Sequence, residues 1–438
     1  MRQLSLGPGY AIVGVEDNLA AHLSLAGGAE QAEPLMKAPD FRRLVLSAST
    51  SSLGAQVSLL ALPLVAILGL HASATQVGIL AALGTLPYLL VGLPVGAWLE
   101  GARLRPVLSS AALGRAAVLT CVPVLWVLHL VDIGVLDAAA VLVGLMSTFF
   151  DIAWQAYLPT LVGTSRLHEA NSRLNFASSG ARLVGPGLAG YLIRALTAPF
   201  ALLADALGFA VAGLSVRGIH APEPEPEAPG NETRMAEQVA DGLSYVARNE
   251  LLRWIAVGTG ASNFVGAGLN VVLVLFEARV LHYSAGTIGL VFFMGNLGYL
   301  VGAPLVRKVT ASLGVGRTMV LGTGLGFLGP ALFPFARAED AMAVLVAGWF
   351  FWAIGSPWYG VNQVSLRLAI TPAEMTTRMT ATMKFFVMGT MPLGSFLGGV
   401  LAGELGDRST LAILAAVASV PLLATSLSKL RSVSALPE

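Results

Sequence analysis

Apolar stretches of helical-span length recur along the whole chain. They fall near 44–70, 77–99, 106–130, 136–159, 173–195 and 199–217, and again near 252–278, 285–306, 318–337, 341–365, 380–403 and 409–427. A bilayer core of about 30 Å takes roughly 20 apolar residues in helix. The pattern therefore predicts an all-α integral membrane protein with twelve transmembrane helices in two sets of six. The sets are separated by Ala221-Pro-Glu-Pro-Glu-Pro-Glu-Ala-Pro-Gly-Asn231, a stiff, extended, acidic segment. After it, Val239, Leu243 and Val246 recur at helical spacing. The expected organisation is a tail over 1–40, a bundle over 41–217, a linker over 218–250, a second bundle over 251–430 and a tail over 431–438. Residues 1–40 lack the long apolar core of a signal peptide. Met36, just ahead of Lys37, Arg42 and Arg43, is an alternative start.

Composition supports lipid as the main surroundings. Charged residues make up 12% of the chain and hydrophobic residues 55%, whereas a soluble domain carries about 25% charged residues. A net charge of +1 supplies no field for nucleic acid. With the N-terminus on the cytoplasmic side, 19 of the 26 Lys and Arg lie on that side, four lie opposite and three lie within spans. This follows the positive-inside rule and predicts both termini in the cytoplasm of a bacterial cell, with the chain in its inner membrane. Cys121 is alone, and no Cys/His cluster or phosphate-binding glycine loop occurs. No metal, cofactor or ATP-driven step is expected.

The two sets resemble each other internally. Leu90 to Ala97 aligns with Asn296 to Ala303 at an offset of 206, which also places Pro186 on Pro392. It roughly superposes Phe150 to Ala153 on Ser356 to Tyr359. The expected architecture is two pseudo-symmetric six-helix bundles around a central cavity.

Several motifs then carry a family resemblance over about residues 41–430. Gly96-Ala-Trp-Leu-Glu100-Gly-Ala-Arg103-Leu-Arg105 resembles the gating loop of the major facilitator superfamily, with Glu100 in place of the acid and Gly101 in place of the first arginine. Phe150-Asp151, Leu158-Pro159, Glu169-Ala-Asn171, Arg182-Leu-Val-Gly185-Pro186-Gly-Leu-Ala-Gly190 and Ala204-Asp205 are similar to segments of its drug and siderophore exporter branch. So are Val361-Asn362-Gln363-Val-Ser365-Leu-Arg367 and Arg378 to Phe385. The resemblance implies a secondary transporter, with Glu100, Arg103 and Arg105 as gating candidates. It also implies that spans 4 and 5 lie near the cavity and spans 3 and 6 at the periphery.

A charge inside a span costs on the order of 3 kcal/mol at the bilayer centre. Arg115, Asp151, Arg182 and Asp205 fall at comparable depth, so two acids and two bases can form a structural network. Alternatively, Asp151 exchanges a proton while its contact with a base switches between states. Glu277 sits beside Arg279 near an outer end, as a local surface pair or an outer gate. Lys384 lies near an inner end and can reach the interface. For a bulky, partly apolar ligand, aromatic faces with sparse amides suit stacking and hydrogen bonding. Trp358, Tyr359, Asn362, Gln363, Trp154, Gln155, Asn263 and Asn270 are the candidates, with Asn296 a further amide. Gly185, Pro186, Gly190 and Pro392 read as hinge or packing positions. Gly92/Gly96, Gly298/Gly302 and Gly394/Gly398 read as close-packing pairs.

The expected function is export of a small, partly hydrophobic molecule, such as a drug, antibiotic or siderophore, by alternating access and proton antiport. Alternatives are an importer or facilitator of a small metabolite, or a non-transporting scaffold. A membrane enzyme would need a nucleophile–base pair or metal site at one depth, and the sequence offers none. The expected partners are a small-molecule substrate and the bilayer, with the chain a monomer driven by the proton gradient.

Overall fold

The computed structural model describes residues 35–223 and 241–435. Most of the N-terminal tail, the proline-rich part of the linker with Asn231, and residues 436–438 lie outside the described residues. Among the described residues every regular element is helical. The first half comprises α1 (Pro39–Leu64), α2 (Ala74–Glu100), α3 (Leu104–Val127), α4 (Ile133–Val162), α5 (Leu167–Leu196) and α6 (Ala198–Arg217). The second comprises α7 (Glu250–Leu275), α8 (Ala285–Leu313), α9 (Val315–Leu332), α10 (Ala341–Ala369) and α11 (Ala373–Leu405), then α12 (Asp407–Val417) and α13 (Ser419–Leu427), which divide the last span at Ala418. Eleven of the described helical spans are long and apolar enough to cross a membrane. The exception is α5, thirty residues long but interrupted by Asn171, Arg173, Asn175, Ser178, Ser179 and Arg182.

Caps in the sequence set the boundaries. Ser73 and Gln76 form a capping box at α2: the Gln76 N–H donates to Ser73 Oγ at 3.2 Å and the Ser73 N–H to Gln76 Oε1 at 2.7 Å. Asp132 caps α4 through the Val135 N–H at 2.8 Å, and Asn249 caps α7 through two backbone N–H groups.

Within the first half, α1 packs on α5 and α6, α3 on α4 and α6, and α2 on α4. The second half repeats this: α7 packs on α11 to α13, α9 on α10 and α13, and α8 on α10. The two lobes meet mainly along α2–α11 and α5–α8. Both termini of the bundle and the linker lie at one face, here the terminal face. The α1–α2 and α7–α8 junctions lie at the opposite, far face.

The repeat is real, but its register differs from the 206 offset. The N-caps Ser73 and Ser284 are 211 apart. Glycine contacts at α2 and α8 confirm that spacing. A Cβ placed on Gly302 would strike Ile354, whereas one on Gly96 would meet nothing within 4 Å. Gly96 and Gly302 are therefore not equivalent, and Gly92/Gly96 makes no close helix contact. Gly298/Gly302 and Gly394/Gly398 do pack closely, against α10 and α7. Small insertions in the loops change the offset from helix to helix, which a single-offset alignment of glycine-rich segments misses.

The lobes touch backbone to backbone toward the far face. A Cβ on Gly78 of α2 would lie 2.7 Å from Gly399 Cα of α11 and 2.9 Å from the Ser395 carbonyl. On the other side, a Cβ on Gly289 of α8 would lie 2.8 Å from Gly190 Cα of α5 and 2.5 Å from the Pro186 carbonyl. These crossings are mates: Gly78 and Gly289 are 211 apart, while Gly190 and Gly399, like Pro186 and Ser395, are 209 apart. Pro186 therefore corresponds to Ser395, not Pro392. Only glycine permits this approach.

Overpacking of such a contact costs about 1–3 kcal/mol, so Gly399→Val should part the lobes at the far face. Labelling of a cysteine introduced at Ala74, in a Cys121→Ser background, should then rise about fivefold or more. Unchanged labelling would contradict this reading of the closure.

Candidate functional site

Each lobe encloses a cavity among its helices, and the two differ in chemistry. The first, of about 300 Å³, is lined by Ser51 and Ser52 of α1, Arg115 of α3, Ser147, Asp151 and Trp154 of α4, Ser178 of α5 and Phe209 of α6. Its charges are ordered by α3 and α6. Arg115 Nη2 lies 2.9 Å from Asp205 Oδ2, and Asp205 is fully buried. Arg115 Nη1 donates to Ser147 Oγ at 2.7 Å, and its guanidinium stacks 3.9 Å from the Phe209 ring centre. A Cβ on Gly54 would stand 2.5 Å from Asp205 Oδ1, so that glycine lets the acid in.

Asp151 is different. It lines the same cavity, is accessible there, and has Arg115 and Lys384 as charged neighbours. Among the described residues no ion pair holds it. The expected four-charge network thus reduces to Arg115, Asp205 and Asp151. Arg182 is exposed and stands apart; its carbonyl accepts from Asn296 Nδ2 of the other lobe at 3.3 Å. Equal depth did not bring it in: the α5 lining of this cavity is Leu174 and Ser178, two turns and one turn earlier.

Lys384 lies eleven residues, about 16 Å, along α11 from its first residue, Ala373. Its Nζ donates across the lobes to Gln155 Oε1 at 3.2 Å and sits 5.3 Å from the Tyr88 ring centre. Gln155 therefore holds a lysine at the lobe boundary.

The second cavity, of about 410 Å³, is uncharged. Thr259, Ser262, Asn263, Gly266 and Asn270 of α7 line it with Trp352, Ser356, Tyr359 and Gln363 of α10 and Met391 of α11. Tyr359 shares a 2.7 Å hydrogen bond with Thr259. The amides of Asn263 and Asn270 donate to backbone carbonyls one turn back, leaving their oxygens for a ligand. Gln363 Oε1 is buried with no hydrogen-bond partner among the described residues. Counted from the caps Asp132 and Asp340, 208 apart, Asp151 corresponds to Tyr359 and Gln155 to Gln363.

Four of the candidates, Asn263, Asn270, Tyr359 and Gln363, therefore converge here, and Trp154 lines the first cavity. Trp358 and Asn362 do not. Trp358 Nε1 donates to the Gly302 carbonyl at 2.9 Å, and Asn362 Nδ2 donates to Thr310 Oγ1 at 3.1 Å, so both serve α8–α10 packing. Their place around the helix relative to Tyr359 decides this. Thr259, Ser262, Trp352 and Met391 escaped the sequence reading. The signal was present in Thr259, Ser262, Asn263, Gly266 and Asn270, a polar or small stripe at spacings of three and four.

The loop between α2 and α3 is engaged within its own half. Arg105 Nη1 donates to the Ile219 carbonyl at 2.6 Å, Nη2 donates to the Ala221 carbonyl, and the Arg105 N–H donates to Glu223 Oε1 at 2.8 Å. Arg105 thus pins the start of the linker. Arg103 is exposed at the N-cap of α3, and the Glu100 side chain lies outside the described residues. Gly185 packs directly on Gln56 of α1, and α5 and α11 run unbroken through Pro186 and Pro392.

Two matched helical bundles, joined by glycine crossings and each enclosing a polar cavity, define a two-lobed membrane transporter fold. The profile of the Major Facilitator Superfamily matches residues 44–284, and the chain belongs to that superfamily. The multidrug efflux pump Tap of Mycolicibacterium fortuitum is 27% identical over 398 residues, covering 87% of this chain and 92% of that protein. The uncharacterised MFS-type transporter y4rN of Sinorhizobium fredii (strain NBRC 101917 / NGR234) is 26% identical over 392 residues, covering 88% and 94%. Among solved structures, a mutant of the nucleoside transporter NupG superposes with a TM-score of 0.70 at 12% identity, covering 89% of this chain and 99% of that one. A bacterial homologue of the iron transporter ferroportin gives 0.68 at 15% identity, covering 88% and 98%.

Removing one member of a buried ion pair costs about 3–5 kcal/mol. Asp205→Asn should therefore lower the thermal stability of the purified protein clearly, whereas Asp151→Asn should leave it nearly unchanged. Equal melting temperatures for Asp205→Asn and the wild type would remove the structural role assigned to this pair.

Proposed function

We propose that the protein is a proton-coupled exporter of bulky, partly apolar molecules, working as a monomer by alternating access. The observation that carries this reading is the division of labour between the cavities. One holds a single accessible carboxylate beside a fixed cation. The other offers amides, hydroxyls and aromatic faces without charge. A carboxylate released from a permanent ion pair can bind a proton and give it up as its surroundings change. An uncharged, aromatic-lined cavity suits a large ligand of low polarity, and the unpartnered Gln363 oxygen would accept from a ligand N–H or O–H.

In this reading the terminal face is cytoplasmic, as the distribution of Lys and Arg favours, and the far face is closed by the glycine crossings. Substrate enters from the cytoplasm and contacts the α7–α10 wall. Protonation of Asp151 weakens its attraction to Arg115 and Lys384, and the Lys384–Gln155 contact between lobes is remade as they rock. Export also agrees with the likeness to the multidrug efflux pump of Mycolicibacterium fortuitum. The Arg115–Asp205 pair keeps Arg115 in place through the cycle, so that Asp151 always meets the same positive charge.

The test is transport of a fluorescent apolar dye by the purified protein in liposomes, with and without an imposed pH gradient. Asp151→Asn should lose gradient-driven transport by at least about tenfold while retaining dye exchange at equal pH on both sides. Full gradient-driven transport by Asp151→Asn would overturn the coupling role. Gln363→Leu should raise the KM for the dye about fivefold to tenfold with little change in kcat, since one hydrogen bond is worth about 1 kcal/mol. An unchanged KM would remove Gln363 from the binding wall.

A further inference from the structure

Glu277 contradicts the surface pair expected of it. It is fully buried, and neither carboxyl oxygen has a hydrogen-bond partner among the described residues. Arg279, two residues on, points elsewhere: its guanidinium donates to the Ala72 carbonyl of the other lobe. Both residues lie in a π-turn, Phe276–Val280, that ends the α7 rod at the closed far face.

The first lobe supplies an internal control. Its mate, Val65–Gly69, makes the same turn 211 residues earlier. The Ala72 N–H donates to the Ala66 carbonyl at 2.9 Å, as the Tyr283 N–H donates to the Glu277 carbonyl at 2.8 Å. His71 and His282, at φ 51° and 53°, complete the turns in the same left-handed conformation. The position of Glu277 is thus filled by Ala66 in the mate, which is equally buried. The turn folds without a carboxyl, so the acid is not there to build it. An unpaired carboxylate in such surroundings is strongly disfavoured, whereas a carboxylic acid is tolerated.

The geometry points to Glu277 as a second proton-carrying group, which couples opening of the far face to release of a proton. The inference rests on the alternating-access cycle proposed above, but not on Asp151. While the lobes are closed, Glu277 keeps its proton and Arg279 is spent on the Ala72 carbonyl. When the lobes part, Arg279 leaves Ala72 and becomes available to Glu277. The carboxyl O–H bond then breaks, the proton passes to water at the far side, and the carboxylate pairs with the guanidinium. The ionisable groups around this turn include His282, which closes it, and His71, next to the Ala72 carbonyl that Arg279 holds. Tyr283 is a neighbour of the carboxyl. Asp407 faces Arg279. Arg408 stacks 5.7 Å from the Phe276 ring centre and donates to the Ala336 carbonyl at 2.8 Å. The adjoining start of α8, Ala285 to Phe293, carries no ionisable side chain. Because the closed state holds the proton and the parted state does not, rising pH favours parting.

The experiment uses the full chain with spin labels on cysteines at Leu130 and Glu339, both exposed in far-face loops of opposite lobes, in a Cys121→Ser background. Distances are measured by double electron–electron resonance from pH 5.5 to 8.5. In the wild type the parted population should rise about fivefold or more across that range, and in Glu277→Gln it should change less than about twofold. Should Glu277→Gln fold poorly, Arg279→Ala serves instead: it should be parted already at the low end, and Arg279→Lys should restore part of the pH dependence. A Glu277→Gln profile that follows the wild type overturns the assignment and leaves the transport cycle standing. A wild type that never parts at any pH, or with dye present, overturns both. Asp151→Asn should keep the pH-dependent distances of the wild type; their loss would instead assign the proton sensing to Asp151.

Discussion

Moving a charge to the centre of a bilayer costs on the order of 3 kcal/mol, and this constraint sorts the few charges the spans carry. Arg115 and Asp205 answer it by pairing, with Ser147 and the Phe209 ring completing the surroundings of the guanidinium. Asp151 answers it by reaching a polar cavity. Lys384 answers it at the boundary between lobes, against Gln155 and Tyr88. Glu277 has none of these answers in the closed state. The groups that remain free to change partner are therefore the ones placed where the lobes move or where a ligand fits.

The second organising feature is how the lobes meet. Within each lobe glycines also let helices approach closely, as at Gly298 and Gly302 on α10 and Gly394 on α7. Between lobes toward the far face, two symmetry-related glycine crossings bring backbones together. Contact through backbone and glycine has no side chains to unlock, so it can be made and broken as a unit. A closure of this kind suits the rocking of one lobe against the other in the proposed cycle. Arg279 on Ala72 adds one polar link to that closure.

Much of the fold was legible in the sequence because membrane spans are a matter of length and apolarity. All twelve expected stretches are helical, the last divided at Ala418, and eleven spans are apolar enough to cross a membrane, with ends set by Ser73, Asp132 and Asn249. The span that departs most from the pattern, α5, does so because its terminal-face half carries Asn, Ser and Arg residues. The site was less legible. Depth along a helix can be counted from its end, but rotation about the axis cannot, and rotation separates Trp358 from Tyr359. The helix that carries Lys384 also starts earlier than its apolar run: the polar residues ahead of that run read as loop, although α11 extends through them to Ala373. The internal repeat was recognisable, yet its register shifts from helix to helix, and only the caps and glycine crossings fix it.

Proton exchange for substrate at one accessible carboxylate is the centre of this account. The most direct measurement is proton release from the purified protein in weakly buffered detergent solution, followed with a pH indicator as a saturating apolar substrate is added. The account predicts that substrate binding releases protons from the wild type near neutral pH, and that the release from Asp151→Asn is much smaller. Substrate binding with no proton release from the wild type, or with the same release from Asp151→Asn, would contradict it.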